Sequence, residues 1–204
     1  MTIILVRHGA TALNMARVLQ PPDTPLNDAG LSQARAAAHA LQALRPAGLV
    51  SSDLPRALQT AQAIADATGL RVHTTGLLRE RDFGDLRGLP YDELGFDPLT
   101  MLGAPPGGES AAAFQARVER AFGVLRERRA ELSGPLVVVT HGLLIRALLA
   151  GPVALPADVL HALHIGNTAL TVLEAHPPHG VIELNSTRHL DAALKNDPRG
   201  LVGG

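Results

Sequence analysis

Apolar positions alternate between short continuous runs and stretches with helical spacing. Ile3-Ile4-Leu5-Val6 reads as a buried strand directly behind the N-terminus. Asn27 or Asp28 can cap a helix with the apolar face Leu31, Ala34, Ala38, Leu41 and Leu44, which Pro46 and Gly48 end. Gly48-Leu49-Val50-Ser51-Ser52 is a second strand. Asp53 then opens a helix with Pro55 in its first turn, where a missing N–H does no harm. Leu54, Leu58, Ala61 and Ala65 fall on its inner face, and residues 71–75 read as a third strand.

Between Phe83 and Glu109 the periodicity fails, and Gly103-Ala104-Pro105-Pro106-Gly107-Gly108 is rich in turn formers. A long helix over about 110–132 follows, then the strand Pro135-Leu136-Val137-Val138-Val139-Thr140 and an apolar helix after His141. Residues 168–174 and 180–184 read as two late strands, a hairpin or an edge pair. Strands joined through helices imply a mostly parallel sheet covered on both faces. The expectation is a three-layer α/β/α domain over 1–190, with a small cap or lid at about 85–108. The tail 191–204 has little to bury and is expected to fray.

Composition narrows the function. The 204 residues carry 46% hydrophobic but only 2% aromatic residues, so alanine, leucine and valine must fill the core. A formal charge of −1 and the lack of a stacking platform argue against nucleic acid as a partner. With no cysteine, disulfides, thiolate metal sites and cysteine nucleophiles drop out. The N-terminus lacks a signal-peptide pattern, and 143–150 is too short to span a bilayer, so a cytoplasmic protein without membrane partners is expected. A homodimer through a sheet edge is compatible with this architecture.

The chemistry gathers at two strand ends. Ile3–Val6 delivers Arg7-His8-Gly9, and Leu136–Thr140 delivers His141-Gly142. Ligands of open α/β sheets bind at the carboxyl ends of strands. Arginine offers a forked cation for phosphate, histidine a nucleophile, and glycine close approach to the backbone. Either motif alone is weak; the coincidence is not. No histidine spacing elsewhere suggests a metal site, since His161 and His164 share a face only if their stretch is helical. Glu80, Asp82 and Asp85 are all candidate acids, and acid–base chemistry does not choose among them.

With these residues in order, the chain resembles the histidine phosphatase, or phosphoglycerate-mutase-like, superfamily. The resemblance runs from Arg7-His8-Gly9-Ala10-Thr11 with Asn14, through Asp23-Thr24-Pro25-Leu26-Asn27-Asp28 with Gly30 and Gln33-Ala34. It continues in Ser51-Ser52-Asp53-Leu54-Pro55-Arg56-Ala57 with Thr60, Leu78-Arg79-Glu80, Gly107-Gly108-Glu109-Ser110 and Thr140-His141-Gly142. It implies a metal- and cofactor-free phosphomonoesterase for a small phosphorylated metabolite. His8 would form a phosphohistidine. Arg7, Asn14, Arg56, His141 and Gly142 would bind the phosphoryl group, and backbone amides after each histidine would add donors. The match to Leu-Arg-Glu favours Glu80 as the acid and base. Thr60 reads as orienting support, and Glu109 as a complement to a helix dipole.

Two positions depart from the family pattern: Ala10 stands where a polar side chain is common, and Gln20-Pro21-Pro22 where glycine is. The alternative activity is a cofactor-dependent phosphoglycerate mutase, which in this family carries a longer insertion and binds a bisphosphate. The segment 84–107 is short, with Asp85, Asp92, Glu93 and Asp97 against Arg87, a poor clamp for a second phosphate. Arg17 and Arg81 keep that reading open. A binding module without turnover would have lost His8 or Glu80. Leu89, Tyr91, Leu94, Phe96 and Met101 are expected to give the pocket an apolar wall.

Overall fold

The computed structural model describes residues 2–97 and 100–195. Its centre is a six-stranded sheet of order β3-β2-β4-β1-β5-β6. Strands β1 (Thr2–Arg7), β2 (Gly48–Ser52), β3 (Val72–Thr75) and β4 (Leu136–Thr140) run parallel. β5 (Leu170–Glu174) pairs antiparallel with β1, and β6 (Val181–Ser186) pairs antiparallel with β5. The late strands are thus both a hairpin and the edge of the sheet.

Ile3–Val6 of β1 and Leu136–Val139 of β4 are continuously apolar because both faces of the sheet are covered. Ile3, Leu5, Leu136 and Val138 face one core, with α4 (Ala111–Ala130) and α5 (Gly142–Ala150). Ile4, Val6, Val137 and Val139 face the other, with α2 (Asp28–Ala43) and α3 (Pro55–Thr68). Two short helices complete the set among the described residues, α1 (Ala12–Met15) and α6 (Ala157–Ala162). α6 contains His161 but stops before His164, so no shared helix face forms.

The expected cap of α2 forms, and that of α3 does not. Asn27 accepts the amide of Gly30, and Ser110 that of Ala113. Asp53 caps nothing: its carboxylate takes both arms of Arg79, at 2.7 and 2.6 Å, and Leu54 is the N-cap without a side-chain bond. Ile64 and Ala57 fill the inner face of α3, and Leu58 turns to solvent. Leu44 lies past the last turn of α2 and is likewise exposed.

The aperiodic stretch folds as short turns, Gly84–Leu86 and Tyr91–Glu93, hydrogen-bonded to the loop before α2. Tyr91 packs with Leu19 and Phe83 in a small separate core, joined by Leu86, Leu94 and Leu143. Residues 191–195 turn back on α2, where Gln33 Nε2 donates to the Leu194 carbonyl at 2.8 Å. The rest of the expected tail, 196–204, lies outside the described residues.

Candidate active site

The β1–β4 register sets the site. Arg7 pairs with Thr140, so the next residues, His8 and His141, leave the sheet side by side. Their rings lie 5.2 Å apart between centroids and are tilted by 58°. Arg7, His8, Arg56 and His141 are all buried, and Asn14, Gln20 and Glu80 nearly so.

His8 Nδ1 lies 2.8 Å from the Gly9 carbonyl. A carbonyl only accepts, so Nδ1 carries the proton, and the lone pair of a neutral ring sits on Nε2. His8 Nε2 is buried without a hydrogen-bond partner, and so are Arg7 Nε and Nη2, Arg56 Nε, Asn14 Nδ2, Gln20 Nε2 and His141 Nδ1. Orphaned buried donors are costly, so a cluster of them fits an anionic ligand. The remaining arms are anchored: Arg7 Nη1 donates to the Ile165 carbonyl at 2.6 Å, and Arg56 Nη1 to the Pro21 carbonyl at 3.3 Å.

Burial first, then Arg56 and Arg7, hold His8 well below its ordinary range. His141 is held low by burial, Arg56, His8 and Arg7. Burial pushes the Glu80 carboxyl up to about 7, against the amides of Leu143 and Arg81 and the charges of Arg56 and Arg7. Burial lowers Arg7 and Arg56 to about 10, which leaves both cationic at neutral pH. The structure therefore pairs a neutral imidazole with a carboxyl that exchanges its proton near neutrality. Asp82 and Asp85 differ from Glu80: Asp82 pairs with Arg87 at 2.5 Å, and Asp85 lies outside the buried set.

The expected backbone donors after His8 are absent. Gly9 N–H donates to Thr60 Oγ1 at 3.1 Å, Ala10 N–H to Gln33 Oε1 at 2.8 Å, and Thr11 N–H to Asn14 Oδ1 at 3.3 Å. These amides hold the loop in place. Thr60 also donates to the Arg56 carbonyl at 2.8 Å, so it orients both segments, as its position one turn after Arg56 suggested.

Three residues reach the site for which the sequence suggested no role: Ser52, within the family-like segment, Gln20, at a departure from the family pattern, and Asn167. Ser52 Oγ lies 2.9 Å from His141 Nε2. Asn167 Nδ2 donates to the His8 carbonyl at 2.9 Å. Gln20 accepts from Thr11 Oγ1 at 2.9 Å and turns its buried amide nitrogen free. Ser52 lies in the matched segment, but its contact with His141 has no local signature, and no pattern marks Asn167 or the amide of Gln20.

Beside Glu80 opens a cavity of about 690 Å³ bordered by Arg56, Arg79, Arg81, Phe83, Arg87 and Arg117 among others. The expected apolar wall is not there: Leu89, Tyr91, Leu94, Phe96 and Met101 do not line it. Tyr91 and Leu94 pack against Leu19 and Phe83 instead, while Leu89 and Phe96 face solvent. Arg81 is committed to the carbonyls of Glu109 and Gly103, at 3.2 and 3.0 Å. Arg17 stands over the Tyr91 ring and 3.9 Å from Asp92. Among the described residues, no group of three or more potential ligands converges on a metal position, and no helix is long and apolar enough to cross a membrane.

The profile of the histidine phosphatase superfamily, branch 1, matches residues 3–187. A glucosyl-3-phosphoglycerate phosphatase of Mycobacterium tuberculosis is 37% identical over 190 residues, covering 85% of either chain. A Yersinia pestis protein named as a probable phosphoglycerate mutase is 35% identical over 179 residues, 83% of this chain and 82% of the other. The solved structure of a mycobacterial glucosyl-3-phosphoglycerate phosphatase with VO3 superposes with a TM-score of 0.79 at 33% identity, over 91% of this chain and 99% of that one.

Proposed function

The chain belongs to the histidine phosphatase superfamily and is a phosphatase, and from that premise we propose a metal-independent phosphomonoesterase that works through a phosphohistidine on His8. The observation that carries the reading is the cluster of buried, unpartnered donors around a neutral His8 whose Nε2 holds the lone pair.

Arg7, Asn14, Gln20, Arg56 and His141 grip the phosphoryl oxygens, where charge spreads in the transition state. His8 Nε2 attacks phosphorus as the bond to the leaving oxygen breaks, and Glu80 passes its proton to that oxygen. The Glu80 carboxylate then takes a proton from water. The water oxygen attacks phosphorus, the P–N bond breaks, and phosphate leaves with His8 restored. The positive charge is supplied by the arginines, so no divalent cation is required.

Arg79 and Arg87 border the cavity beside the reacting group with partly exposed side chains, each paired with an aspartate, and suit a substrate with further polar groups. Together with the mycobacterial relative, this supports a phosphorylated glycerate or a glycosylated derivative as substrate class. The mutase alternative draws on the Yersinia relative. Against it stand the engagement of Arg81 with two carbonyls and of Arg17 with Tyr91 and Asp92, the cations expected to hold a second phosphate.

The test follows phosphate release and isomer formation together, for glucosyl-3-phosphoglycerate, 3-phosphoglycerate and 4-nitrophenyl phosphate, with wild type and His8→Ala. Release that disappears in His8→Ala supports the proposal. Isomerisation dependent on a bisphosphate primer would replace it with the mutase reading.

A further inference from the structure

Glu80 sits on a stretch of chain that neither the sheet nor a long helix holds. β3 ends at Thr75, one short turn covers Gly76–Leu78, and α4 begins only at Ala111. Yet the carbonyls of this stretch are taken in succession by side chains. Arg117 Nη1 donates to the carbonyls of Leu77 and Arg79, at 2.9 and 2.7 Å, and Nη2 to that of Glu80 at 3.2 Å. Thr140 Oγ1 donates to the one between, Leu78, at 2.8 Å.

Arg117 is itself fixed. Its Nε and Nη2 donate to the two oxygens of Glu109, at 3.0 and 2.7 Å, and its guanidinium stands 5.0 Å from the Phe114 ring centre. Glu109 grips the other end of the acid-bearing stretch: its amide donates to the Asp82 carbonyl at 2.7 Å, and its carboxylate accepts the Asp82 amide at 3.4 Å. Glu109 stands one residue before the Ser110 cap of α4, and its carboxylate, expected to complement the helix dipole, is held by Arg117.

A mostly buried ion pair adds little net stability, because desolvation of both charges offsets their attraction. What a forked guanidinium does supply is direction, through donors at fixed angles. We infer that Arg117, locked by Glu109, is a positioning residue that sets the backbone of Glu80 and thereby aims its carboxyl at the leaving oxygen. The inference rests on the reading of Glu80 as proton donor.

A misplaced acid harms substrates in proportion to their need for a proton. An alkyl phosphate leaves as a strongly basic alkoxide and needs it; 4-nitrophenolate leaves without it. The constant kcat/KM reports the steps up to release of the leaving group, so it isolates this effect. The experiment measures kcat/KM for 3-phosphoglycerate and 4-nitrophenyl phosphate, and the inhibition constant of inorganic phosphate, in Arg117→Met, Arg117→Lys, Glu109→Gln and Glu80→Gln. Lysine keeps the charge but cannot reach three carbonyls at once.

The Arg117 variants are expected to lose about 100-fold on the alkyl phosphate, the scale of a misplaced catalytic group. They should lose less than about threefold on the aryl phosphate, where the acid has little to add. Inhibition by phosphate should stay unchanged. If Arg117→Met does not fold by circular dichroism, Arg117→Lys and Glu109→Gln carry the comparison. Equal losses on both substrates, or no loss in a folded variant, would overturn the inference. If Glu80→Gln itself shows no dependence on the leaving group, the assignment of Glu80 fails and the inference with it. A dependence in Glu80→Gln but not in the Arg117 variants defeats the inference alone.

Discussion

Glu80 Oε2 accepts the amide of Leu143 at 3.0 Å, two residues beyond His141. The first turn of α5 thus reaches the candidate acid through one of its amides. Its other oxygen takes the amide of Arg81 at 3.0 Å. Both bonds favour the charged carboxylate, yet burial outweighs them and raises Glu80 to about 7.

The pH–rate profile follows. In the proposed mechanism turnover needs His8 neutral and Glu80 protonated. His8 is held well below its ordinary value, so activity should persist far into the acid range. The loss of the Glu80 proton should impose an alkaline limb near the value of about 7. Steady-state kcat/KM across the pH range checks this, and a rise in activity from neutral to alkaline pH would contradict it.

The same carboxyl makes a stability prediction. Its folded value of about 7 lies above the ordinary 4.5, so the folded state holds the proton more tightly. The resulting stability is present below the unfolded value and is lost as pH rises through the folded one. Glutamine does not ionise. Glu80→Gln should therefore match wild type near pH 4 and exceed it at pH 8, by on the order of 3 kcal/mol from the shift. Turnover of an alkyl phosphate should fall by about 10²–10⁴-fold. Thermal melts at the two pH values, beside rate measurements, separate the effects.

Ser52 sets the ring of His141. Its hydroxyl accepts the Leu54 amide at 3.3 Å and lies 2.9 Å from His141 Nε2. In the tautomer that suits an anionic ligand the hydroxyl donates a hydrogen bond to Nε2, and Nδ1 is the N–H of the neutral ring. That nitrogen is among the unpartnered donors of the site. Ser52→Ala should lower kcat/KM by about tenfold, the worth of one hydrogen bond near the upper end of the usual range. Retention of full activity would show that His141 needs no such partner.

Positive charge at the site comes from Arg7 and Arg56, both cationic at neutral pH. Chelation with EDTA is therefore expected to leave phosphate release unchanged. Inactivation reversed by added divalent metal would refute the metal-independent mechanism.

Much of the architecture was legible because continuous apolar runs report strands buried on both faces, as in Leu136–Thr140. The adjacency of His8 and His141 was suggested by matching strand ends and arises in space from the Arg7–Thr140 register. What stayed hidden was the use of polar groups. The amides after His8 are spent on Thr60, Gln33 and Asn14, and the Asp53 carboxylate on Arg79. Such partners lie up to tens of residues away in sequence, and no local periodicity encodes them. The apolar residues of 89–101 misled for a related reason: composition does not say which way a side chain in an irregular loop turns.

Gly30 offers a last test, in which helix propensity and packing point in opposite directions. It lies in the first turn of α2, where alanine is ordinarily favoured over glycine by about 1 kcal/mol. A Cβ there, however, would stand 2.0 Å from the carbonyl oxygen of Ala10 and 2.8 Å from its nitrogen. A Cβ on Gly9 would meet the Gly30 carbonyl oxygen at 2.5 Å, so the two backbones touch where no side chain fits. Ala10 is also held by Gln33, one turn along the same helix. Gly30→Ala must push α2 away from the loop that carries His8. It should destabilise the protein by about 1–3 kcal/mol, as overpacking does, and reduce kcat together with stability. Urea unfolding of Gly30→Ala against wild type decides the matter: a stabilised variant would mean that the loop yields at no cost, and that the close contact does not hold His8 in place.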